Sequence, residues 1–279
     1  MIDVFDDRRC ELGEGPLWHP ERGQLFWFDI LNKRLMSNEN GTPKSWQFDE
    51  YVSAAGWVSK TELLIASASM LFLFDLETTA SRKLTDLEAD NPVTRSNDGR
   101  ADPQGGFWIG TMGFNAEPGA GSIYRYYKGE LRKLFGDITI TNAICFSPDG
   151  RTAYFADTHR QLLQQIALDE DGWPAGTPAL FRDFSEEGLF PDGAVVDSQG
   201  FMWNAQWSAG RVARYAPDGG FAGEVCLPAS QTTCPAFGGP DMQTLFVTSA
   251  ALDLSGEPDG KTWSSPTGIR GQAEPRVIL

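Results

Sequence analysis

Four side chains with oxygen donors fall at one phase of a recurring turn. Taking the first residue of His19-Pro20, Asp102-Pro103, Ser147-Pro148 and Asp197-Ser198 and stepping back five positions gives Glu14, Asn97, Asn142 and Asp192. The same step from Gly239-Pro240 gives Cys234, and a shortened turn at Ser59 gives about Ala54. Each of the four oxygen-bearing residues is followed by Gly, Asp-Gly or Ala, small neighbours that let backbone or a ligand come close. Equivalent positions of a closed ring face a common axis. Two carboxylates held there without partners repel, and burying them is costly. A divalent cation removes that cost. The expectation is one such ion on Glu14, Asn142 and Asp192. Its identity stays open, because carboxylate and amide oxygens accept Ca²⁺, Mg²⁺ or Mn²⁺ and also hold Zn²⁺ or Fe²⁺. A water-filled polar channel is the plainer reading of the same ring.

The ring itself has to come from the elements between the turns. Short runs rich in aromatic and β-branched residues recur: "QLFWFDI", "ELLIASA", "GFWIGTM", "TAYFADT", "GFMWNAQW" and "TLFVTSA". Turn sequences such as "HPERG", "DPQGG", "SPDG", "DSQG" and "GPDMQ" precede them, the Gly/Pro/Asp clusters that reverse a chain between strands. Further hairpin partners follow, as in "GSIYRYYKGELRKLF" and "GRVARYAPDGGFAGEV". The spacing is roughly 40 to 50 residues, the size of a propeller blade. Six such units use up the 279 residues. The expected fold is all-β, a six-bladed β-propeller with a central channel, one domain over residues 1–279. The leading "MIDVFDD" is expected to pair into the blade that ends the chain, since an open edge invites aggregation. A β-sandwich or barrel would not explain the repeat count.

Composition narrows the partners. With 41% hydrophobic and 22% charged residues the chain is globular in character. A formal charge of −15 repels phosphate backbones, so no nucleic-acid partner is expected. "MIDVFDDRRC" lacks the basic start and apolar stretch of a secretory signal, and no apolar run is long enough to cross a bilayer, so no membrane role is expected. Cys10, Cys145, Cys226 and Cys234 are scattered without a Cys-x-x-Cys pair, which reads as buried thiols in a reducing cytoplasm. Two histidines, His19 and His159, rule out a His-rich metal site and read as structural. No Gly-x-Ser-x-Gly elbow offers a serine nucleophile. Trp18, Trp57, Trp173 and Trp207 are available to line a pocket or to pack.

Five segments in order, "LGEGPLW", "SNDGRADPQGGFWIGTM", "TNAICFSPDGRTAYFADT", "FPDGAVVDSQG" and "CPAFGGPDMQTLFVTSA", resemble the gluconolactonase/regucalcin family, of senescence marker protein-30 type. They span Glu11 to Ala250; the stretch after Ala250 matches only loosely. The resemblance implies a six-bladed propeller with one divalent ion in the channel mouth, and hydrolysis of sugar lactones. It implies Glu14, Asn142 and Asp192 as metal ligands and Asp192 as general base. It implies Arg95 and Asn97 as substrate-binding residues, Asn97 beside the ion. A family glutamate shortly after "GTM" has no clear counterpart: the segment reads Gly113-Phe114-Asn115-Ala116-Glu117, which leaves its replacement open between Asn115 and Glu117, and the role is not carried over to either. Arg95 and Asn97 lie two apart, so on an extended strand they share a face. The expected activity is divalent-metal-dependent hydrolysis of an aldonolactone to its aldonic acid, by a monomer or weak homo-oligomer. The alternatives are another metal-dependent esterase, such as a phosphotriesterase-like enzyme, and a non-catalytic propeller that binds calcium or a protein.

Overall fold

The computed structural model describes residues 1–279 and contains strands, turns and loops but no helix. Strand β1 (Asp3–Asp6) stands apart from the strands that follow it. The first complete blade is β2 (Gly13–His19), β3 (Gln24–Asp29), β4 (Arg34–Glu39) and β5 (Thr42–Gln47). The second is β6 (Val52–Trp57), β7 (Glu62–Ser67), β8 (Met70–Asp75) and β9 (Ser81–Asp86). The third is β10 (Thr94–Ala101), β11 (Phe107–Gly113), β12 (Gly121–Tyr127) and β13 (Glu130–Ile138). The fourth is β14 (Thr141–Phe146), β15 (Thr152–Asp157), β16 (Leu162–Leu168) and β17 (Pro174–Asp183). The fifth is β18 (Phe190–Val196), β19 (Met202–Trp207), β20 (Arg211–Tyr215) and β21 (Phe221–Cys226). The sixth uses β22 (Gln231–Gly238), β23 (Thr244–Ala250) and β24 (Thr262–Pro266), and β1 supplies its fourth strand.

Six antiparallel four-stranded sheets around an axis make the expected propeller. The N-terminal strand closes the ring: Asp3 pairs with Ser264, Val4 with Trp263 and Asp6 with Thr262. Exposure follows position in the blade. β6 and β14, innermost, are buried at every residue, whereas β5 and β9, outermost, are mostly exposed and have no buried residue. The outer edges carry the residues that discourage further pairing, with Pro43 and Lys44 on β5 and Pro174 and Pro178 on β17.

The apolar core lies between blades. Phe26, Phe28, Leu63, Ile65 and Phe74 interleave the first and second blades, and Trp108, Ile144, Phe146 and Phe155 the third and fourth. Each such side chain, fully buried, contributes about 1.5–3 kcal/mol. The recurring turns that set the repeat phase are held by side chains. Asp102 accepts the Gln104 and Gly106 amides at 3.0 and 2.8 Å, Trp108 Nε1 at 3.1 Å and Arg125 Nε at 2.6 Å. Asp197 does the same two blades on, accepting Gln199 and Phe201 amides, Trp203 Nε1 and Arg214. His19 holds the equivalent place in the first blade, with Nε2 3.0 Å from the Ser59 carbonyl oxygen, so its part is structural as expected. Of the four cysteines, Cys10, Cys145 and Cys234 are buried free thiols; Cys226 is exposed at the end of an outer strand, contrary to expectation. No helix of the structure is long and apolar enough to cross a membrane.

Candidate functional site

Every innermost strand is interrupted at one level. The pairing register shifts between Glu14 and Leu17, Val52 and Ala54, Ser96 and Gly99, Asn142 and Cys145, Pro191 and Ala194, and Thr232 and Pro235. A bulge bends its strand and re-aims one side chain. Here six of them turn side chains toward the axis. Glu14, Asn97, Asn142 and Asp192 all sit at these bulges. In the second and sixth blades the corresponding side chains are Ser53 and Thr233, one residue before the positions given by counting. Ser53 Oγ donates to Ser96 Oγ at 2.7 Å and Thr233 Oγ1 to the Gly13 carbonyl at 2.5 Å, so both tie adjacent blades together.

The residues beside the bulges explain why small side chains flank them. Gly15 has φ 54°, and a Cβ there would lie 2.3 Å from the Ser53 carbonyl oxygen. Gly193 has no such φ, but its Cβ would meet Cys234 Sγ at 2.2 Å. Ala143 takes the same left-handed conformation, φ 55°, behind Asn142, a strained choice for a residue with a Cβ.

Glu14, Arg95, Asn97, Asn142, Thr158 and Asp192 form the polar part of one cavity of about 260 Å³ at the mouth of the channel. Hydrogen bonds fix most of them. Asn142 Nδ2 donates to Thr158 Oγ1 at 2.8 Å, and that hydroxyl donates to the Pro191 carbonyl at 2.6 Å. The amide of Asn142 is therefore pinned by its nitrogen, and its Oδ1 is presented toward Asn97, whose Nδ2 lies 3.2 Å away. Asn97 Nδ2 also donates to the Thr141 carbonyl at 2.9 Å. Arg95 Nη1 donates to Asn97 Oδ1 at 2.9 Å and to the Ser96 carbonyl at 2.8 Å. Its Nε and Nη2 have no partner in the protein.

Glu14 and Asp192 are both buried and both line the cavity. Burial, then the charge of Asp98, pushes the Glu14 carboxyl up to about 8, although the Gly15 amide, 3.0 Å from Oε2, pulls the other way. Burial, then the charge of Glu14, raises Asp192 well above the usual carboxylate range. Asp98 lies behind them, accepting the Ile144 amide at 2.7 Å, and burial raises it to about 6. Arg95 is the only cation lining the cavity. Three buried carboxylates against one arginine leave the site short of positive charge. Two carboxylates and an oriented amide oxygen form a hard donor set that fits a divalent cation.

Asp98 and Thr158 lie outside the set that the sequence pattern predicts. Asp98 was visible beside Asn97 in "SNDG", but it lies one residue off the repeat phase. Thr158 comes from the turn after β15 and belongs to no repeat. Leu12, Met112, Ile140, Trp207 and Leu252 complete the cavity wall. Of the four tryptophans considered, only Trp207 lines it. Trp18 stacks on Phe246 with centroids 5.4 Å apart, Trp57 Nε1 donates to the Glu274 carbonyl at 2.8 Å, and Trp173 packs on Arg125. Glu117 is folded onto its own turn, Oε1 accepting Asn115 Nδ2 at 2.9 Å, and is not in the cavity wall. His159 is exposed in the turn after β15.

The opposite end of the channel is closed by the C-terminal segment. Glu274 pairs with Arg100, the Val277 amide donates to the Trp57 carbonyl at 2.9 Å, and Gln272 Nε2 donates to the Val196 carbonyl at 2.9 Å. The loosely matched tail thus reaches the second, third and fifth blades.

A family model for the SMP-30/gluconolactonase/LRE-like region matches residues 12–251. The chain is 36% identical to 6-deoxy-6-sulfogluconolactonase of Pseudomonas putida, over 95% of this chain and 94% of that one. It is 36% identical to L-arabinolactonase of Azospirillum brasilense, over 90% of this chain and 85% of that one. Among solved structures, regucalcin of Agrobacterium tumefaciens str. C58, described as a calcium-binding protein, superposes with a TM-score of 0.96. It is 42% identical, covering 99% of this chain and 97% of that one.

Proposed function

The chain belongs to the SMP-30/gluconolactonase/LRE-like family, and we propose that it hydrolyses a sugar lactone to the open-chain aldonic acid with one divalent cation held by Glu14, Asn142 and Asp192. The observation that carries this reading is the convergence of two buried, mutually repelling carboxylates and a pinned amide oxygen beside an arginine with free donors. Relatives named as lactonases support the reaction class.

When bound, the cation supplies a Lewis acid that polarises the lactone carbonyl. The protein supplies the rest. Arg95 lines the cavity with Nε and Nη2 uncommitted, planar donors suited to ring and hydroxyl oxygens. Asn97 holds the guanidinium in place through Oδ1. An Asp192 carboxylate oxygen takes the proton of the attacking water as the general base. Burial of the whole set strengthens each of these interactions. Lactone carbon chemistry needs no serine nucleophile under this scheme, and none stands in the cavity wall.

The test is a panel of aldonolactones followed by acid release, before and after chelation and with Ca²⁺, Mg²⁺, Mn²⁺ or Zn²⁺ restored. Hydrolysis that tracks the restored cation supports the proposal; a chain inert toward every lactone overturns it. The description of the Agrobacterium neighbour as a calcium-binding protein favours one second reading, calcium binding without hydrolysis. It predicts a bound ion and no acid release. As part of the same proposal we place the enzyme in the cytoplasm, where three buried, unpaired thiols stay reduced.

A further inference from the structure

In each blade one residue of the second strand pairs with the first residue past the bulge. In five blades it is aliphatic or aromatic: Phe26, Ala66, Ile109, Tyr154 and Val247. All five pack into the cores between blades. In the fifth blade the residue is Asn204, opposite Ala194. Asn204 is wholly buried, and its cross-strand neighbours are Ala194 and Ala213. An amide set between alanines is costly to bury, and one end of this one stays unsatisfied, since Oδ1 has no hydrogen-bond partner. A buried acceptor without a donor lowers stability. Local choices of that kind belong to places where function needs a fixed geometry.

The nitrogen end of the amide shows what is fixed. Asn204 Nδ2 donates to the Asp192 carbonyl at 2.9 Å and to the Gly193 carbonyl at 3.3 Å. Asp192 and Gly193 are the two residues of the bulge, and a bulge takes backbone groups out of the ladder. Buried carbonyls then need a donor from elsewhere, and Asn204 is that donor. The other two candidate ligands are held at their side chains, Glu14 by the Gly15 amide at 3.0 Å and Asn142 by the Thr158 hydroxyl at 2.8 Å. Asp192 is held at its backbone, by a residue that is not in the cavity wall. Resting on the lactonase reading above, we propose that Asn204 is a positioning residue for that reaction: its amide locks the bulge peptide and so aims the Asp192 carboxylate at the cation and the attacking water. A site of this kind tolerates about 0.5 Å of displacement, so freeing the peptide costs cation affinity and rate together.

The test replaces Asn204 by Leu, of similar volume and apolar like most of its counterparts. The comparison is Val247→Ala, which loosens the same register position in the sixth blade, where the bulge residue Thr233 is not a proposed ligand. Cation Kd is measured by titration with Ca²⁺, Mn²⁺ and Zn²⁺ in turn, and kcat and KM are measured on an aldonolactone at saturating cation. Asn204→Leu should weaken cation binding and lower kcat, each about 10- to 100-fold. KM should stay within about twofold of wild type, because Arg95 and Asn97 are untouched. Val247→Ala should lower Tm and leave both Kd and kcat at wild-type values. Asn204→Ser, too short to reach the two carbonyls, should show the same losses and takes the place of the Leu variant if that one does not fold. Unchanged Kd and kcat in a folded Asn204 variant overturn this inference and leave the lactonase reading standing, and so do equal losses in Val247→Ala. A wild type that binds a cation but hydrolyses no lactone overturns the lactonase reading, and Kd alone then decides the role of Asn204. A wild type that binds no cation overturns both.

Discussion

Replacing Glu14 by Gln should stabilise the cation-free protein, and the advantage should vanish once wild type is loaded with cation. Burial and neighbouring charge raise the Glu14 carboxyl from 4.5 to about 8. Between those values the unfolded chain has lost this proton and the folded chain keeps it. The folded state then binds more protons than the unfolded one, so stability falls as pH rises from about 4.5 to about 8 and levels off above. At pH 7.5 three units of that interval have been crossed, which costs about 4 kcal/mol at 1.36 kcal/mol per unit. Glutamine has no proton to lose, keeps an oxygen for the Gly15 amide, and removes the penalty. In chelator at pH 7.5 the variant should therefore melt about 10 °C above wild type, on a scale of about 2–4 °C per kcal/mol. At pH 5 the gap should shrink below about 1 kcal/mol. Saturating divalent cation closes the gap. A ligand at a thousand times its Kd adds about 4 kcal/mol to wild type, and the variant, short of one ligand charge, forgoes most of it. The assay is thermal unfolding of both proteins at the two pH values, with and without cation. A variant no more stable than wild type in chelator at pH 7.5 would refute the reasoning, because Glu14 would then carry no burial penalty.

Other perturbations separate the parts of the site. Thr158→Val frees Asn142 to rotate, and should weaken cation affinity about 10- to 100-fold in a metal titration while the fold survives. Arg95→Met should lower kcat/KM for hydroxylated lactones about 10- to 100-fold, the value of hydrogen bonds from a charged donor, with cation content unchanged by elemental analysis. Arg100→Met leaves Glu274 buried without its partner, which should cost about 3–5 kcal/mol; adding Glu274→Gln should recover part of the lost Tm, and no recovery would show that the ion pair is not the cause.

The repeat phase made the ring of bulge residues legible because the bulges recur with the turns. A side chain such as Asp102 or Asp197 fixes each turn, the turn fixes the strand that follows, and the bulge lies at a constant distance before it. Glu14, Asn97, Asn142 and Asp192 could be aligned for that reason. The count slipped by one at Ser53 and Thr233. There the turn is shortened or rebuilt around Gly239, and counting carries the error to the bulge. The apolar part of the cavity wall was not legible, since Met112, Trp207 and Leu252 reach the mouth from second strands and loops that share no phase. Nor was the tail: "GQAEPRVIL" has neither strand alternation nor a turn signal. Its place under the channel comes from long-range bonds such as Trp57 Nε1 to the Glu274 carbonyl. The exposure of Cys226 follows from its place on an outermost strand, which composition does not report.

The most direct test of the account joins cation content to activity in one variant. Wild type and Asp192→Asn are stripped by chelation, dialysed against a single divalent cation, and measured in parallel for bound metal and for aldonolactone hydrolysis. The account predicts about one ion per wild-type chain, hydrolysis that rises in proportion to it, and an Asp192→Asn protein, folded by its Tm, that loses activity by orders of magnitude at matched metal content. Hydrolysis at the wild-type rate by metal-stripped protein, or by Asp192→Asn, would contradict it.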